Sequence, residues 1–146
     1  MVANRGGLCN CSRVDVNYAA RAFAGAWPSR TGSFADRFNA LPKLVASRTL
    51  KALAWGPSKL LAEPIEDSVR KAKDTVKGAI YIHGSLALTQ NLSKDGLIDE
   101  YHLLTYPIVL GEGRRLFGEK QKAELELMSL EDLGSGVVAQ KYRVKH

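Results

Sequence analysis

The hydrophobic residues of this chain follow two periods, one typical of helices and one typical of strands. Apolar residues at helical spacing predict four helices, at residues 17–27, 33–41, 64–77 and 85–94. Short apolar runs predict strands at residues 43–47, 58–63, 79–82 and 100–107. Strict alternation predicts two further strands, "KAELELMS" and "GVVAQKYRV", at the end of the chain. Residues 1–16 show no clear period, which is typical of a partly disordered terminus.

The order of these elements predicts the fold class. Strands alternate with helices in the middle of the chain, which is typical of a parallel sheet with helices packed on it. The last two strands follow each other directly and are expected to pair antiparallel. We therefore predict an α/β fold with a mixed, mostly parallel sheet flanked by helices and antiparallel C-terminal strands. Residues 17–146 are predicted to form one domain, preceded by an atypical N-terminus over residues 1–16.

The segment "GAIYIHGSLALTQNL", residues 78–92, changes from strand to helix almost without a loop. In an α/β sheet, ligands bind beyond the carboxyl ends of the strands, where the N-terminus of a helix attracts anions. Gly84 lets a phosphate approach the backbone, and Ser85 can cap the helix and donate its hydroxyl to a phosphate oxygen. A tight turn with an ordinary N-cap explains the same two residues equally well.

A second predicted strand also ends abruptly in polar residues, within "LVASRTL" at residues 44–50. If it lies parallel in the same sheet, Ser47, Arg48 and Thr49 emerge at the same edge as Gly84 and Ser85. A guanidinium flanked by two hydroxyls suits a phosphate. Two such strand ends indicate a phosphorylated dinucleotide, and the alternative is an arginine packed in a surface turn.

Composition narrows the classes of partner. The chain carries a net charge of +6, but its basic residues are interleaved with acids, as in "EDSVRKAKDTVK", so we expect no nucleic acid partner. No apolar run is long enough for a membrane span, and no secretion signal is evident, so we expect a cytoplasmic protein without a membrane partner. Cys9 and Cys11 have no second close pair of ligands, so we expect no metal site.

Two long runs of the chain carry a family resemblance. "FADRFNALPKLVASRTL" and "GAIYIHGSLALTQNLSKDGLIDEYHLLTYPIVLGEGRRLF", with the alternating strand that ends the chain, resemble the dihydrofolate reductase superfamily. The branch that they resemble more is the RibD C-terminal domain, the reductase domain of the bifunctional riboflavin-biosynthesis enzyme, with its stand-alone bacterial relatives. The likeness extends over about residues 23–144.

The resemblance implies a dihydrofolate-reductase-like sheet with NADPH lying across the strand ends. It implies that residues matching Ser47, Arg48 and Thr49 lie near the adenosine and the 2′-phosphate. The residues that it places around the pyrophosphate and the neighbouring ribose are Gly84, Ser85, Leu86 and Ala87. The implied activity is NADPH-dependent reduction of a small heteroaromatic or conjugated substrate, by a homodimer. The alternative is a degenerate, non-catalytic nucleotide-binding or dimerisation domain of the same fold.

The front of the chain departs from the family pattern. It lacks the first apolar strand with its "SLDG"-like loop and the "GRRTY"-like motif that contacts the cofactor phosphates. There are three alternatives for the missing strand. The N-terminal residues supply it in a form that the pattern does not reveal, a second subunit supplies it, or the chain is a shortened product. No catalytic residue is assigned, because each polar candidate also has a structural explanation. These candidates are His83, Asp99, Glu100, Tyr106, Glu112 and Arg114.

Overall fold

The structure is a computed structural model that describes residues 12–16, 24–47, 49–50, 53, 55–82 and 85–146. The chain divides into two compact units, which we call the parallel unit, within Arg5–Thr89, and the antiparallel unit, within Gln90–His146. The assignment of residues 17–146 to one domain stays a prediction. Within the described part of the chain, no helix is long and apolar enough to cross a membrane.

The parallel unit contains a sheet of four parallel strands in the order β3-β2-β1-β4. Its strands are β1 (Ser12–Val16), β2 (Lys43–Ala46), β3 (Ser58–Leu60) and β4 (Ile80–Ile82). Its helices are α1 (Ser33–Ala40) and α2 (Ile65–Thr75), and the helix α3 (Leu86–Lys94) contains the boundary between the units. Residues 24–26 are also helical, and the rest of the predicted helix at 17–27 lies outside the described residues, apart from Trp27.

The strand β1 shows that residues 12–16 belong to the sheet, whereas the sequence pattern indicated a partly disordered terminus over residues 1–16. Its five residues, Ser12–Val16, alternate between polar and apolar types over only the last four positions, and they lie between β2 and β4 and pair in parallel with both. An alternation over so few positions is too short to identify a strand by its period, so the sequence pattern did not predict this element. Of the three alternatives for the missing element, the structure therefore favours the N-terminal residues, and residues 1–11 lie outside the described part.

The helices begin and end close to the predicted positions. The predicted helix at residues 64–77 has Pro64 as its N-cap, and Glu66 and Asp67 follow in the first turn. Acids at this end stabilise the helix dipole. Of the apolar stripe that the sequence predicts for this helix, at Ile65, Val69 and Val76, only Val69 is fully buried, and Ala72 is buried beside it. The N-cap of α1 is Gly32, at a φ of 110°.

The contact between α1 and β2 is built around a buried lysine. Lys43, the first residue of β2, is only 3% exposed. Its ammonium donates hydrogen bonds of 2.8 Å to the carbonyl oxygens of Asn39 and Leu41, at the C-terminal end of α1. It also lies 4.4 Å from the ring centroid of Trp55. The lysine therefore satisfies two carbonyl groups that the end of a helix leaves unpaired.

The antiparallel unit contains a second sheet, in the order β5-β7-β6. Its strands are β5 (Glu100–Thr105), β6 (Glu124–Asp132) and β7 (Val138–Lys145), and both pairings are antiparallel. The register of β6 shifts at Met128, between Leu127 and Ser129. Tyr101 is buried and lies 5.2 Å from Phe117 in an edge-to-face contact. Parallel strands, helices and antiparallel C-terminal strands together confirm the predicted α/β class.

Candidate functional site

The two strand ends singled out in the sequence leave the parallel sheet at the same edge. In the sheet register, Val14 of β1 pairs with Leu44 on one side and with Ile82 on the other. Ser47 and Ser85 each lie three residues beyond these partners, so both follow the sheet at the same level. One strand separates β2 from β4, which corresponds to about 10 Å between their axes. The predicted parallel arrangement of the two strands is confirmed.

The turn after β2 is organised by Ser47. Its Oγ accepts hydrogen bonds from the backbone N–H groups of Thr49, at 3.2 Å, and Leu50, at 2.9 Å. A serine that binds the backbone two and three residues ahead fixes the local turn. Thr49, two residues after Ser47, is exposed. Arg48, the third residue of this predicted cluster, lies outside the described residues.

The turn after β4 is capped by Ser85, which is 8% exposed. Its Oγ accepts a 3.3 Å hydrogen bond from the N–H of Leu88, and its carbonyl oxygen accepts one of 3.0 Å from the N–H of Thr89. These contacts make Ser85 the N-cap of α3, as the sequence predicts. His83 and Gly84 lie outside the described residues, so the close approach of a phosphate at Gly84 stays a prediction.

The N-terminus of α3 has the donors that a phosphate requires. Leu86 and Ala87 occupy the first two helical positions, where backbone N–H groups have no partner inside the helix. The positive end of the helix dipole adds to their attraction for an anion. Ala87 is exposed, and its small side chain leaves the backbone approachable. The donors on α3 therefore fit an anionic group such as a pyrophosphate.

The C-terminal part of α3 is held by polar contacts that sequence reasoning missed. Within the antiparallel unit, Gln90 Nε2 donates a 2.8 Å hydrogen bond to the carbonyl oxygen of Arg115. The hydroxyls of Ser93 and Tyr101 lie 2.5 Å apart, and Gln121 Nε2 donates to Ser93 Oγ. No sequence signal could have found these contacts, because they join residues up to 28 positions apart.

Glu100, a predicted candidate for acid–base work, belongs to a cluster of charges on the antiparallel sheet. Its Oε2 lies 2.9 Å from Lys141 Nζ and 3.2 Å from His102 Nε2. Burial alone would raise the pKa of Glu100, but the hydrogen bonds and charges of Lys141 and His102 lower it below its ordinary value. Glu100 is therefore an ionised partner in a cross-strand cluster, where a carboxylate of lowered pKa is a poor proton donor near neutral pH.

The other polar candidates are spread over exposed positions. Asp99 lies 3.7 Å from His146, and Tyr106, Glu112 and Arg114 are exposed in the segment after β5. The described residues contain no cluster of three or more histidines, cysteines or carboxylates that could hold a metal ion. The described residues identify no catalytic group. The ends of β2 and β4 are the feature whose chemistry suits a ligand, an anion such as a phosphate.

Comparison with known proteins relates this chain to bacterial relatives. It is 33% identical over 97 residues to the uncharacterised protein YyaP of Bacillus subtilis strain 168. The aligned residues cover 66% of this chain and 51% of YyaP. The chain thus spans about half the length of this curated relative.

Two solved structures share the fold. A candidate riboflavin biosynthesis protein of Shewanella sp. PV-4 superposes with a TM-score of 0.74 at 21% identity, covering 95% of this chain and 76% of that one. A pyrimidine reductase-like protein of Corynebacterium diphtheriae superposes with a TM-score of 0.63 at 14% identity, covering 94% and 77%.

These likenesses confirm the dihydrofolate-reductase-like fold expected from the sequence. The family model of the RibD C-terminal domain matches residues 18–139, which is most of the chain and includes both strand ends of the candidate site. The chain therefore belongs to the RibD C-terminal domain family.

Proposed function

We propose that this protein is an NADPH-dependent reductase of a small heteroaromatic or conjugated substrate, of the kind used in riboflavin or folate chemistry. The observation that carries the proposal is the pair of polar strand ends at Ser47 and Ser85, level with each other on either side of β1. Membership of a reductase-like family and the net charge of +6 support it, since a positive protein attracts a phosphorylated cofactor.

Each strand end has a proposed part in holding the cofactor. The turn of Ser47, Arg48 and Thr49 takes the adenosine and its 2′-phosphate. The segment at the start of α3 takes the pyrophosphate and the neighbouring ribose, through residues Gly84, Ser85, Leu86 and Ala87. When bound, NADPH supplies the hydride. The chain itself binds and orients the cofactor and the substrate, and it excludes water from them.

The substrate class follows from the relatives. One solved neighbour is named as a riboflavin biosynthesis protein and another as pyrimidine reductase-like, and both names concern small heterocycles. We further propose that residues 17–146 act as one domain and that the protein works in the cytoplasm as a homodimer. These three statements extend the family assignment to this chain.

Cofactor binding is tested by titrating the purified protein with NADPH, and with NADH in parallel, while following cofactor fluorescence. We expect tighter binding of NADPH, because the 2′-phosphate adds a charged contact. Ser85→Asp should weaken binding at least about tenfold, because it places a negative charge beside the pyrophosphate. Arg48→Ala should reduce the preference for NADPH over NADH.

Thr75→Asp is the matched control for Ser85→Asp. It adds the same charge at the C-terminal end of α2, which leads toward the amino end of β4 and so to the opposite edge of the sheet. It should leave NADPH affinity within about twofold of the unchanged protein. Equal affinity for NADPH in all of these variants would contradict the proposed site.

Turnover separates the reductase from its degenerate alternative. Oxidation of NADPH with pyrimidine, pterin or other conjugated heterocycles, followed at 340 nm, should reveal a substrate if the protein is an enzyme. Tight NADPH binding without oxidation by any of these compounds would favour the non-catalytic nucleotide-binding domain.

A further inference from the structure

The helix α3 is short for an element on which the candidate site depends. It has nine residues, Leu86–Lys94, and helices of fewer than about 12 residues are marginal in water without contacts to the rest of a protein. Its apolar residues supply part of those contacts, since Leu88 is 5% exposed and Leu92 is 1% exposed. Polar side chains in its C-terminal half supply others.

Two of these polar side chains contact one irregular segment, residues 115–121, which we call the strap. Gln90 and Ser93 lie three positions apart, so they share one side of the helix. Gln90 donates its hydrogen bond to the carbonyl oxygen of Arg115, at the start of the strap, and Ser93 accepts one from Gln121, at its end. Both ends of the strap are therefore attached to α3.

The side-chain amide of Gln121 is bonded through both of its polar atoms. Its Oε1 accepts a 3.1 Å hydrogen bond from the N–H of Gly118, and its Nε2 donates to Ser93 Oγ. The backbone N–H of Gln121 also donates a 3.3 Å hydrogen bond to the carbonyl oxygen of Gly118. An amide whose oxygen and nitrogen both have partners is fixed in one orientation. Gln121 therefore joins a closed turn of the strap to α3.

A buried tyrosine belongs to the same group of contacts. Tyr101 of β5 is 4% exposed, and its hydroxyl lies 2.5 Å from Ser93 Oγ. The ring of Phe117, in the strap, packs edge-to-face against the ring of Tyr101, with 5.2 Å between the centroids. A buried hydroxyl requires a hydrogen-bond partner, and Ser93 supplies it. The strap, Tyr101 and the C-terminal half of α3 thus form one packed group within the antiparallel unit.

We propose that Gln90 and Gln121 are positioning residues of the candidate cofactor site, which act by keeping α3 helical as far as its first turn. The inference rests on the proposed binding of NADPH. Helix formation is cooperative, so contacts in the C-terminal half of a short helix also stabilise its first turn. The N–H groups of Leu86 and Ala87 converge on an anion only while that turn is formed. Donors that are fixed beforehand bind more tightly, because less freedom is lost on binding.

The test compares two ligands in the double variant Gln90→Ala with Gln121→Ala. NADPH carries the pyrophosphate that α3 is proposed to bind, whereas adenosine 2′-phosphate lacks it and should occupy only the turn after β2. We expect the double variant to bind NADPH about fivefold more weakly, the factor that corresponds to one ordinary hydrogen bond. Its affinity for adenosine 2′-phosphate should stay within about twofold of that of the unchanged protein. A loss of stability alone would not separate the two ligands.

Asn91→Ala is the matched control, because Asn91 follows Gln90 on α3 and is exposed. It removes the same amide group from the same helix and should leave the affinity for NADPH within about twofold. Amide exchange followed by NMR, without cofactor, measures α3 itself. The N–H groups of Leu88 and Thr89 should exchange about fivefold faster in the double variant, whereas that of Val76, at the end of α2, should keep its rate.

The outcomes separate this inference from the proposed function. An unchanged affinity for NADPH in the double variant, an equal loss for both ligands, or unchanged exchange in α3 would each overturn the positioning role and leave the proposed function standing. No binding of NADPH by the unchanged protein would overturn the proposed function, and the role of the two glutamines with it. If the double variant does not fold, Gln90→Ala alone removes only the contact with Arg115 and should still weaken NADPH binding about threefold without affecting adenosine 2′-phosphate.

Discussion

At the scale of single residues, Lys43 shows how a polar residue can be part of the interior. In the sequence, Lys43 is the first residue of a short apolar strand. The structure buries it between the end of α1 and Trp55, where two carbonyl oxygens receive its ammonium. A lysine is buried at low cost only when its donors are satisfied. Those partners come from other elements, so the sequence pattern alone could not predict its burial.

Replacing this lysine should destabilise the protein. Lys43→Met keeps most of the apolar stem but removes the ammonium, which leaves the carbonyl oxygens of Asn39 and Leu41 without that donor. We expect the free energy of unfolding to fall by about 1.5–3 kcal/mol, the usual range for a hydrogen bond to a charged group. Urea denaturation followed by circular dichroism measures the change.

The matched control is Lys59→Met, at an exposed position of the neighbouring strand β3. Substitutions at such positions usually change the free energy of unfolding by no more than about 0.5 kcal/mol. Equal effects of the two substitutions would show that the ammonium of Lys43 contributes nothing to stability.

At the scale of elements, the β6–β7 hairpin depends on backbone conformations that favour glycine. Gly134 has a φ of 85° and Gly136 a φ of 75°. The N–H of Gly134 also donates a 2.8 Å hydrogen bond to Asp132 Oδ1. Both glycines lie in the segment "LEDLGSGVV" between the two predicted C-terminal strands, and glycine is favoured where φ is positive. The contact of Gly136 with Pro107 depends instead on the segment after β5.

Substituting the two glycines separates backbone strain from contact. Gly134→Ala introduces a Cβ into open space, so its cost is the strain of the positive φ, about 1–2 kcal/mol. Gly136→Ala has the same strain and also places a Cβ 3.1 Å from the ring of Pro107. We expect Gly136→Ala to have the lower Tm in thermal unfolding. A Tm as high as that of Gly134→Ala would mean that Pro107 moves freely away from the turn.

The ends of helices and strands were predicted better than the segments that pack or pair with them. The N-cap role of Ser85 follows from neighbouring residues, and its hydrogen bond from the N–H of Leu88 confirms it. The strand β1 was missed, because its alternation of polar and apolar residues covers only four positions. The contacts of α3 with residues 115–121 were also missed, because they join distant parts of the chain.

At the scale of the whole molecule, net charge bears on the proposed cofactor. The chain carries +6 at neutral pH. If the positive field assists binding, the affinity for NADPH should fall severalfold between low and high salt, because ions screen charges over about 10 Å at 0.1 M. Fluorescence titrations at several salt concentrations measure this, with uncharged adenosine as the control ligand. Equal salt dependence for NADPH and adenosine would show that the field plays no part.

The sequence by itself determined the alternation of strands and helices, the two polar strand ends and the family resemblance. These features depend on the period of hydrophobic residues and on the residues that favour turns. Both kinds of information lie entirely in residues that are neighbours along the chain. Only the tertiary structure decided that Ser12–Val16 lies between β2 and β4, so that Ser47 and Ser85 leave the sheet at one level. It also decided that Lys43 is buried while Leu127 and Leu130 are exposed. Such outcomes depend on which distant segments come to lie beside a residue, and a local pattern does not contain that information.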